Sequence, residues 1–272
     1  MTLDAARRFD LHLHTTRSDG KFAPQDVLAR CARQRLDVIA LTDHDLVAPI
    51  QPGTHTIDGR DIHVIGAAEV SGTHDGKEYH LLVYFPGEIP QAFRDFCREQ
   101  MKARAARYEH AVQALQLEGV TGPDDEAQAG ERSVTRLHLA QAVVDAGHAA
   151  HLRDAFAHFR ETKAVPNLAL PFTDAIRFAK ELGGITSWAH PPVRAAREYV
   201  QVFVDAGLHG LEVHRPRVRP TDRRTLKKLA KRHGLVMTGG SDWHGWNGHD
   251  VGLFHVTRYE LTDFLQVLYP AA

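Results

Sequence analysis

Asp10, His12 and His14 close an apolar run, FDLHLH, near the start of the 272-residue chain. In an extended strand, residues two apart face the same side, so His12 and His14 would present adjacent imidazoles. Imidazole is the commonest protein ligand for metal ions. An isolated histidine is more often a packed or surface residue than a ligand. Here three further segments repeat the theme: TDHD (Thr42 to Asp45), AHP (Ala189 to Pro191) and GSDWH (Gly240 to His244). Each follows a short apolar run that reads as a strand. Histidines and carboxylates gathered at strand ends point to a multinuclear metal site that hydrolyses its substrate.

Those side chains need elements to hold them. FDLHLH reads as a strand, and Pro24 suits the first turn of a helix whose apolar face is Val27, Leu28, Cys31 and Ala32. DVIALTD, IHVIGAAEV (Ile62 to Val70) and YHLLVYF (Tyr79 to Phe85) read as further strands, the last two joined by a turn-rich stretch from Gly72 to Lys77. From Pro90 to about Leu170 only helical periodicity is visible, in a long helix near Gln91 to Leu117 and two more near Thr135 and Leu152. Alternation resumes at Phe172, with Thr173 placed to cap a helix ending at Gly183–Gly184. Strands then fit ITSWA (Ile185 to Ala189), GLEVH (Gly210 to His214) and LVMTG (Leu235 to Gly239). About seven parallel strands result, with the metal-type residues at or beyond their C-terminal ends, the face that carries active sites in βα barrels.

Composition narrows the class. With 43% hydrophobic and 25% charged residues the chain is an ordinary globular protein. A net charge of -1 gives no global field that would announce a nucleic acid or a membrane as partner. The 19 histidines exceed what packing requires. Cys31 and Cys97, the 2 cysteines, lack a CxxC partner, which argues against a disulfide framework or a thiolate zinc site. The N-terminus has no apolar signal core and no segment is long enough to span a membrane, so a cytoplasmic location is expected.

FDLHLHTTRSDG, LTDHD, GAAEVS, the histidine of EYHLLVY, WAHP and GGSDWHG together resemble the successive motifs of the PHP (polymerase and histidinol phosphatase) superfamily of metal-dependent phosphoesterases. The resemblance runs from Phe9 to His244. SVTRLHLAQAVVDAG (Ser133 to Gly147) is similar to the signature of a branch with a helical insertion, which includes phosphatases of nucleoside 3′,5′-bisphosphates and a 5′-to-3′ exoribonuclease. It implies an α/β fold, a distorted seven-stranded (β/α) barrel built from residues 1–89 and 171–272. An all-helical subdomain, 90–170, would be inserted in it and cover the active site.

The resemblance also implies a trinuclear site for two or three divalent ions, manganese, iron or zinc. His12, His14 and Asp242 would hold the first, Glu69 would bridge it to the second, His80 and His190 would complete the second, and Asp19, His44 and His244 would hold the third. Two metals sharing a carboxylate stand about 3.5–4 Å apart and make a hydroxide nucleophile near neutral pH. Glu69, His12, His14 and Asp242 would hold that bridging hydroxide. Arg136 and His138, in TRLH, and Lys163, in ETKAVP, match substrate-binding positions of the insertion-bearing branch. Arg215 and Arg217 follow the strand GLEVH and could form a basic rim suited to more than one phosphate or to an RNA 5′ end. Asp43 and Asp45 read as orienting or loop-capping residues, and Asp10 as structural or orienting.

The expected activity is therefore hydrolysis of a phosphate ester of a small nucleotide, with short RNA a further substrate. A cyclic-phosphate or RNA-end phosphodiesterase and a histidinol-phosphate-type phosphatase are alternatives, and a C–N bond hydrolase is disfavoured because no metal-bridging lysine is evident. A non-catalytic metal module is disfavoured because the nine ligand positions are intact. The chain departs from the family at Val218, where many relatives carry histidine. It departs again in LVAPIQPGTHTIDG, which is shorter and richer in Pro and Gly than the usual helix.

Overall fold

The computed structural model describes residues 6–246 and 248–270; residues 1–5 and 271–272 of the expected barrel lie outside the described residues. The first half of the chain forms β1 (Arg8–Leu13), α1 (Pro24–Arg33), β2 (Val38–Leu41), β3 (Gly53–Ile57), β4 (Arg60–His74) and β5 (Lys77–Phe85). A helical stretch follows: α2 (Gln91–Leu115), α3 (Asp125–Ala129), α4 (Arg136–Asp145) and α5 (Leu152–Thr162). The remainder is α6 (Phe172–Glu181), β6 (Ile185–Trp188), α7 (Val193–Ala206), β7 (Gly210–His214), α8 (Pro220–Arg232), β8 (Val236–Gly239), β9 (Val256–Thr257) and α9 (Thr262–Leu268). Among the described residues no helix is long and apolar enough to cross a membrane.

One sheet carries the fold, in the order β8-β7-β6-β5-β4-β2-β1-β9, with β3 paired to β4 off this path. The chain beyond β8 turns back onto β1: the Asp242 N–H donates to the His12 carbonyl at 2.9 Å and the His14 N–H to the Trp243 carbonyl at 3.1 Å. The sheet is thereby nearly closed into a barrel. Gly240 makes this seam possible, because a Cβ there would lie 2.4 Å from the Cβ of His12.

The expectation of uniformly parallel strands fails at β5, which runs antiparallel to both β4 and β6. Asp75 and Gly76 connect β4 to β5 with φ of 48° and 67°. Two successive positive φ values make the tight turn that suits a two-residue hairpin, and a hairpin reverses the chain. The beginning of β5 therefore lies at the end of the sheet where its parallel neighbours finish.

In β1 the pairing with β2 slips between Asp10 and Leu13. A slip of this kind re-aims side chains locally. Phe9 and Leu11 join an inner cluster with Ala40, Ala67, Leu82, Tyr84 and Phe264, while Leu13 packs with Leu28, Cys31 and Leu41 beneath α1. Outside the other half of the sheet, α6, α7 and α8 bury Phe172, Ile176, Phe203 and Leu226 against Leu81, Val83 and Trp188. Helices α2 to α5 bury a cluster of their own, including Tyr108, Leu139, Val143 and Phe159.

One local expectation is met and one is corrected. The Pro- and Gly-rich segment after TDHD forms no helix among its described residues but contributes β3, antiparallel to β4. Helix α6 starts after Pro171, which has no side-chain cap, and Thr173 lies within its first turn.

Candidate metal centre

All nine expected ligand residues meet at the mouth of the barrel. They fall into overlapping groups whose ligand atoms lie within 4.8 Å of one another: His14, Asp19, His44 and His244; His12, His190 and Asp242; His12, His14 and Glu69; and His44, Glu69 and His80. The membership differs from the expected partition, since His14 stands with the Asp19 group and His190 with His12 and Asp242. His80 comes from the start of β5, where the reversal of that strand brings it level with the ends of the others.

Glu69, from β4, is central and buried. Its Oε1 is 3.0 Å from His190 Nε2, 3.2 Å from His80 Nδ1 and 3.4 Å from His12 Nε2. Its Oε2 is 3.0 Å from His44 Nδ1 and 3.4 Å from His14 Nε2. Asp242 Oδ1 lies 3.4 Å from His12 Nε2 and 3.3 Å from His14 Nε2. Asp19 reaches His244 Nε2 at 3.2 Å and His44 Nε2 at 3.6 Å.

The donor set fits divalent ions on two counts. His12 Nε2, His14 Nε2, His44 Nδ1 and Glu69 Oε2 are buried yet make no hydrogen bond; such orphaned atoms are costly unless something else satisfies them. They converge on one another, and mixed imidazole and carboxylate donors suit zinc, iron or manganese.

The electrostatics agree. Burial works against the charged form of Glu69, but His44, His12 and His80 outweigh it and hold its pKa well below the usual range. Burial likewise opposes ionisation of Asp19 and Asp242, and the surrounding imidazoles again win. His80 and His244 are pushed up to about 10 and about 9, against burial, by the carboxylates beside them. His44 goes the other way, well below its ordinary value, because burial prevails there. Carboxylates this strongly ionised must be balanced by protons on imidazole or by cations, and a cation binding here would release protons.

Asp43 accepts from the Thr15 N–H at 2.8 Å and from the Thr15 and Ser18 hydroxyls, shaping the loop after β1. Asp45 accepts from the Ser71 N–H at 2.8 Å and from Arg104 of α2. Asp10 accepts from the Ser241 N–H at 2.8 Å, fastening the seam, and burial raises its pKa to about 7.

The expected substrate residues separate. Arg136, half-buried, opens α4 and lines a cavity of about 520 Å³ with His80, His190, Asn167 and Arg194. It donates to Asn167 Oδ1 at 3.1 Å and lies 3.5 Å from Glu78. His138 is in the first turn of α4, where its Nδ1 accepts from the Thr135 N–H at 3.0 Å; burial lowers its pKa, in spite of Asp19. Lys163 is exposed at the end of α5 and lines neither this cavity nor the next. Arg215 lines a second cavity, about 320 Å³, with Arg217, Trp243 and Asp242.

Two residues escaped the sequence reading. Arg194 stands in the first turn of α7, where nothing separates it from an ordinary surface arginine. Glu212 is completely buried within β7, and its only signal was a carboxylate set inside the apolar run GLEVH.

Residues 10–119 match the family described as the PHP domain. Over 248 residues the chain is 30% identical to the 5′-3′ exoribonuclease Rnm of Salmonella typhimurium, a match covering 87% of this chain and 85% of that protein. It is 27% identical to the 3′,5′-nucleoside bisphosphate phosphatase of Chromobacterium violaceum, covering 89% and 90%. A solved structure described as a metal-dependent phosphoesterase from Bifidobacterium adolescentis superposes with a TM-score of 0.73 and 25% identity, over 95% of this chain and 96% of that one. With its histidines and carboxylates converging at the mouth of a nearly closed sheet, the chain belongs to the PHP family of metal-dependent phosphoester hydrolases.

Proposed function

We propose that the protein hydrolyses a phosphate ester of a small nucleotide, of the nucleoside 3′,5′-bisphosphate type, at a centre of two or three divalent ions. The observation that carries this reading is the cavity of about 520 Å³ in which Arg136 and Arg194 face His80 and His190. The guanidinium fork pairs with phosphate through two parallel bonds, so a second phosphate has a place beside the reacting one. The relative in Chromobacterium violaceum that is named for such a substrate supports the choice.

In this reading His12, His14, Asp19, His44, Glu69, His80, His190, Asp242 and His244 hold the ions, which supply an activated water and offset charge on the phosphoryl oxygens. Glu69 would share the ions between these ligands, with one oxygen near His12, His80 and His190 and the other near His14 and His44. Arg136 orients the substrate, and Arg215 approaches it from the Asp242 side. Residues 90–170 form an inserted helical subdomain over a seven-stranded barrel, a division supported by the separate apolar cluster of α2 to α5.

A 5′ RNA end is the second reading. It is favoured by the further cavity lined by Arg215, Arg217 and Asp242, which gives a longer chain somewhere to lie. The test is phosphate release from adenosine 3′,5′-bisphosphate by Mn²⁺-loaded protein, with Asp242→Asn as control. Release that the variant loses is the expected result. No release by the loaded wild type, alongside cleavage of a 5′-phosphorylated oligoribonucleotide, would replace the first reading with the second.

A further inference from the structure

Glu212 has no role among the nine candidate ligands, yet it holds two of them. It lies between Leu211 and Val213, both in the apolar core, and is itself fully buried. Each of its oxygens meets a different segment of the chain. Oε1 is 2.8 Å from His12 Nδ1 in β1, and Oε2 accepts the backbone N–H of His190 at 2.7 Å, beyond β6. A carboxyl group inside an apolar strand is expensive unless both oxygens are used, and here both are.

The contact with His12 fixes which nitrogen is available. With Nδ1 donating its proton to Glu212, the lone pair belongs to Nε2. That is the atom 3.4 Å from both Glu69 Oε1 and Asp242 Oδ1 and without a hydrogen bond. A carboxylate behind an imidazole orients the ring and makes it a stronger ligand.

The contact with His190 fixes a backbone. His190 has φ of 32°, a positive value that a residue with a side chain rarely takes. Such strain persists only where the surroundings over-determine it. The Glu212 bond to the His190 N–H is one such restraint, and it sets the ring of His190 5.8 Å from that of His12 and nearly parallel to it.

We infer that Glu212 is a positioning residue. Its two oxygens lock the ring of His12 with Nε2 presented and hold His190 in its strained backbone, so that both ligands reach the same ions. The inference rests on the metal-centre reading of the site. Glutamine is the discriminating replacement. It keeps the size of glutamate but has only one acceptor oxygen, whereas His12 Nδ1–H and His190 N–H both require an acceptor.

The test is Glu212→Gln, measured by chelator competition for Mn²⁺, by the visible absorption of the Co²⁺ form, and by the melting temperature of metal-stripped protein. Metal affinity should fall about 10- to 100-fold and the Co²⁺ spectrum should change, while the stripped protein melts within a few degrees of wild type. Unchanged affinity and spectrum would overturn the inference. So would a melting temperature that falls in step with affinity, since Glu212 would then serve the fold. Wild type that binds no divalent ion would overturn both this and the metal-centre reading. Wild type that binds ions tightly but releases no phosphate from the bisphosphate removes the substrate reading and leaves the role of Glu212 standing.

Discussion

In the proposed reading, Arg136 is the side chain on which substrate preference turns. Its guanidinium is already partnered by Asn167 and lies near Glu78, so it is held in place before any phosphate arrives. Arg136→Lys keeps the charge and loses the fork. A charge-assisted hydrogen bond contributes about 1.5–3 kcal/mol, so kcat/KM for adenosine 3′,5′-bisphosphate should fall about 10- to 100-fold with the fold intact. Steady-state kinetics of phosphate release checks this; an unchanged value would remove Arg136 from the substrate site. At this scale the sequence was most legible for the candidate ligands, which the fold brings together. Two imidazoles at alternate strand positions, as in His12 and His14, have few explanations other than a metal. It was least legible for Glu212, since one glutamate in an apolar strand does not reveal which donors will stand opposite it. Lys163 was placed in the site by resemblance alone; it stands exposed at the left-handed end of α5.

Among the elements, α2 is tied to the barrel by a buried ion pair. Arg104 donates through Nε to Asp45 and through Nη2 to the Ser71 hydroxyl at 2.6 Å, joining the helical stretch to the loop that carries His44 and to β4. Removing one partner of a buried pair costs about 3–5 kcal/mol, because the other charge is left without compensation. Arg104→Met should therefore lower the melting temperature by about 6–20 °C for a chain of this size. A loss of a degree or two, measured by calorimetry, would show that Asp45 finds another partner. The direction of β5 was hidden from periodicity, which records burial but not polarity. The signal was Asp75–Gly76, a dipeptide that favours hairpins, lying inside a stretch already read as a turn. β3 was hidden because Pro52 and Gly53 precede a run, THTI, in which only Ile57 is apolar and which lies outside the barrel path. The long helix of 91–115 was plain, since nothing in it interrupts a helical period.

On the scale of the whole molecule, the end at the barrel mouth gathers four buried polar atoms without hydrogen bonds, on His12, His14, His44 and Glu69. Occupying that end should raise global stability, because the nine ligand residues are brought together only in the folded chain. An ion at one hundred times its dissociation constant adds about 2.7 kcal/mol, or about 5–11 °C in melting temperature at this length. Chelator should remove that gain, and Asp242→Asn should show little of it; equal melting with and without Mn²⁺ would contradict a folded-state metal site.

The seam between β1 and the chain after β8 also has a kinetic meaning. Ser241 bonds Asp10 across 231 residues of chain, whereas Glu69 and His80 share a hairpin and are neighbours from the outset. Contacts of high sequence separation carry the loop-closure entropy of everything between them and form late. During refolding the Glu69–His80 corner is available early as a weak, incomplete chelate. Tight binding waits for the two ends of the chain to meet, which makes the ion a chronometer of barrel closure.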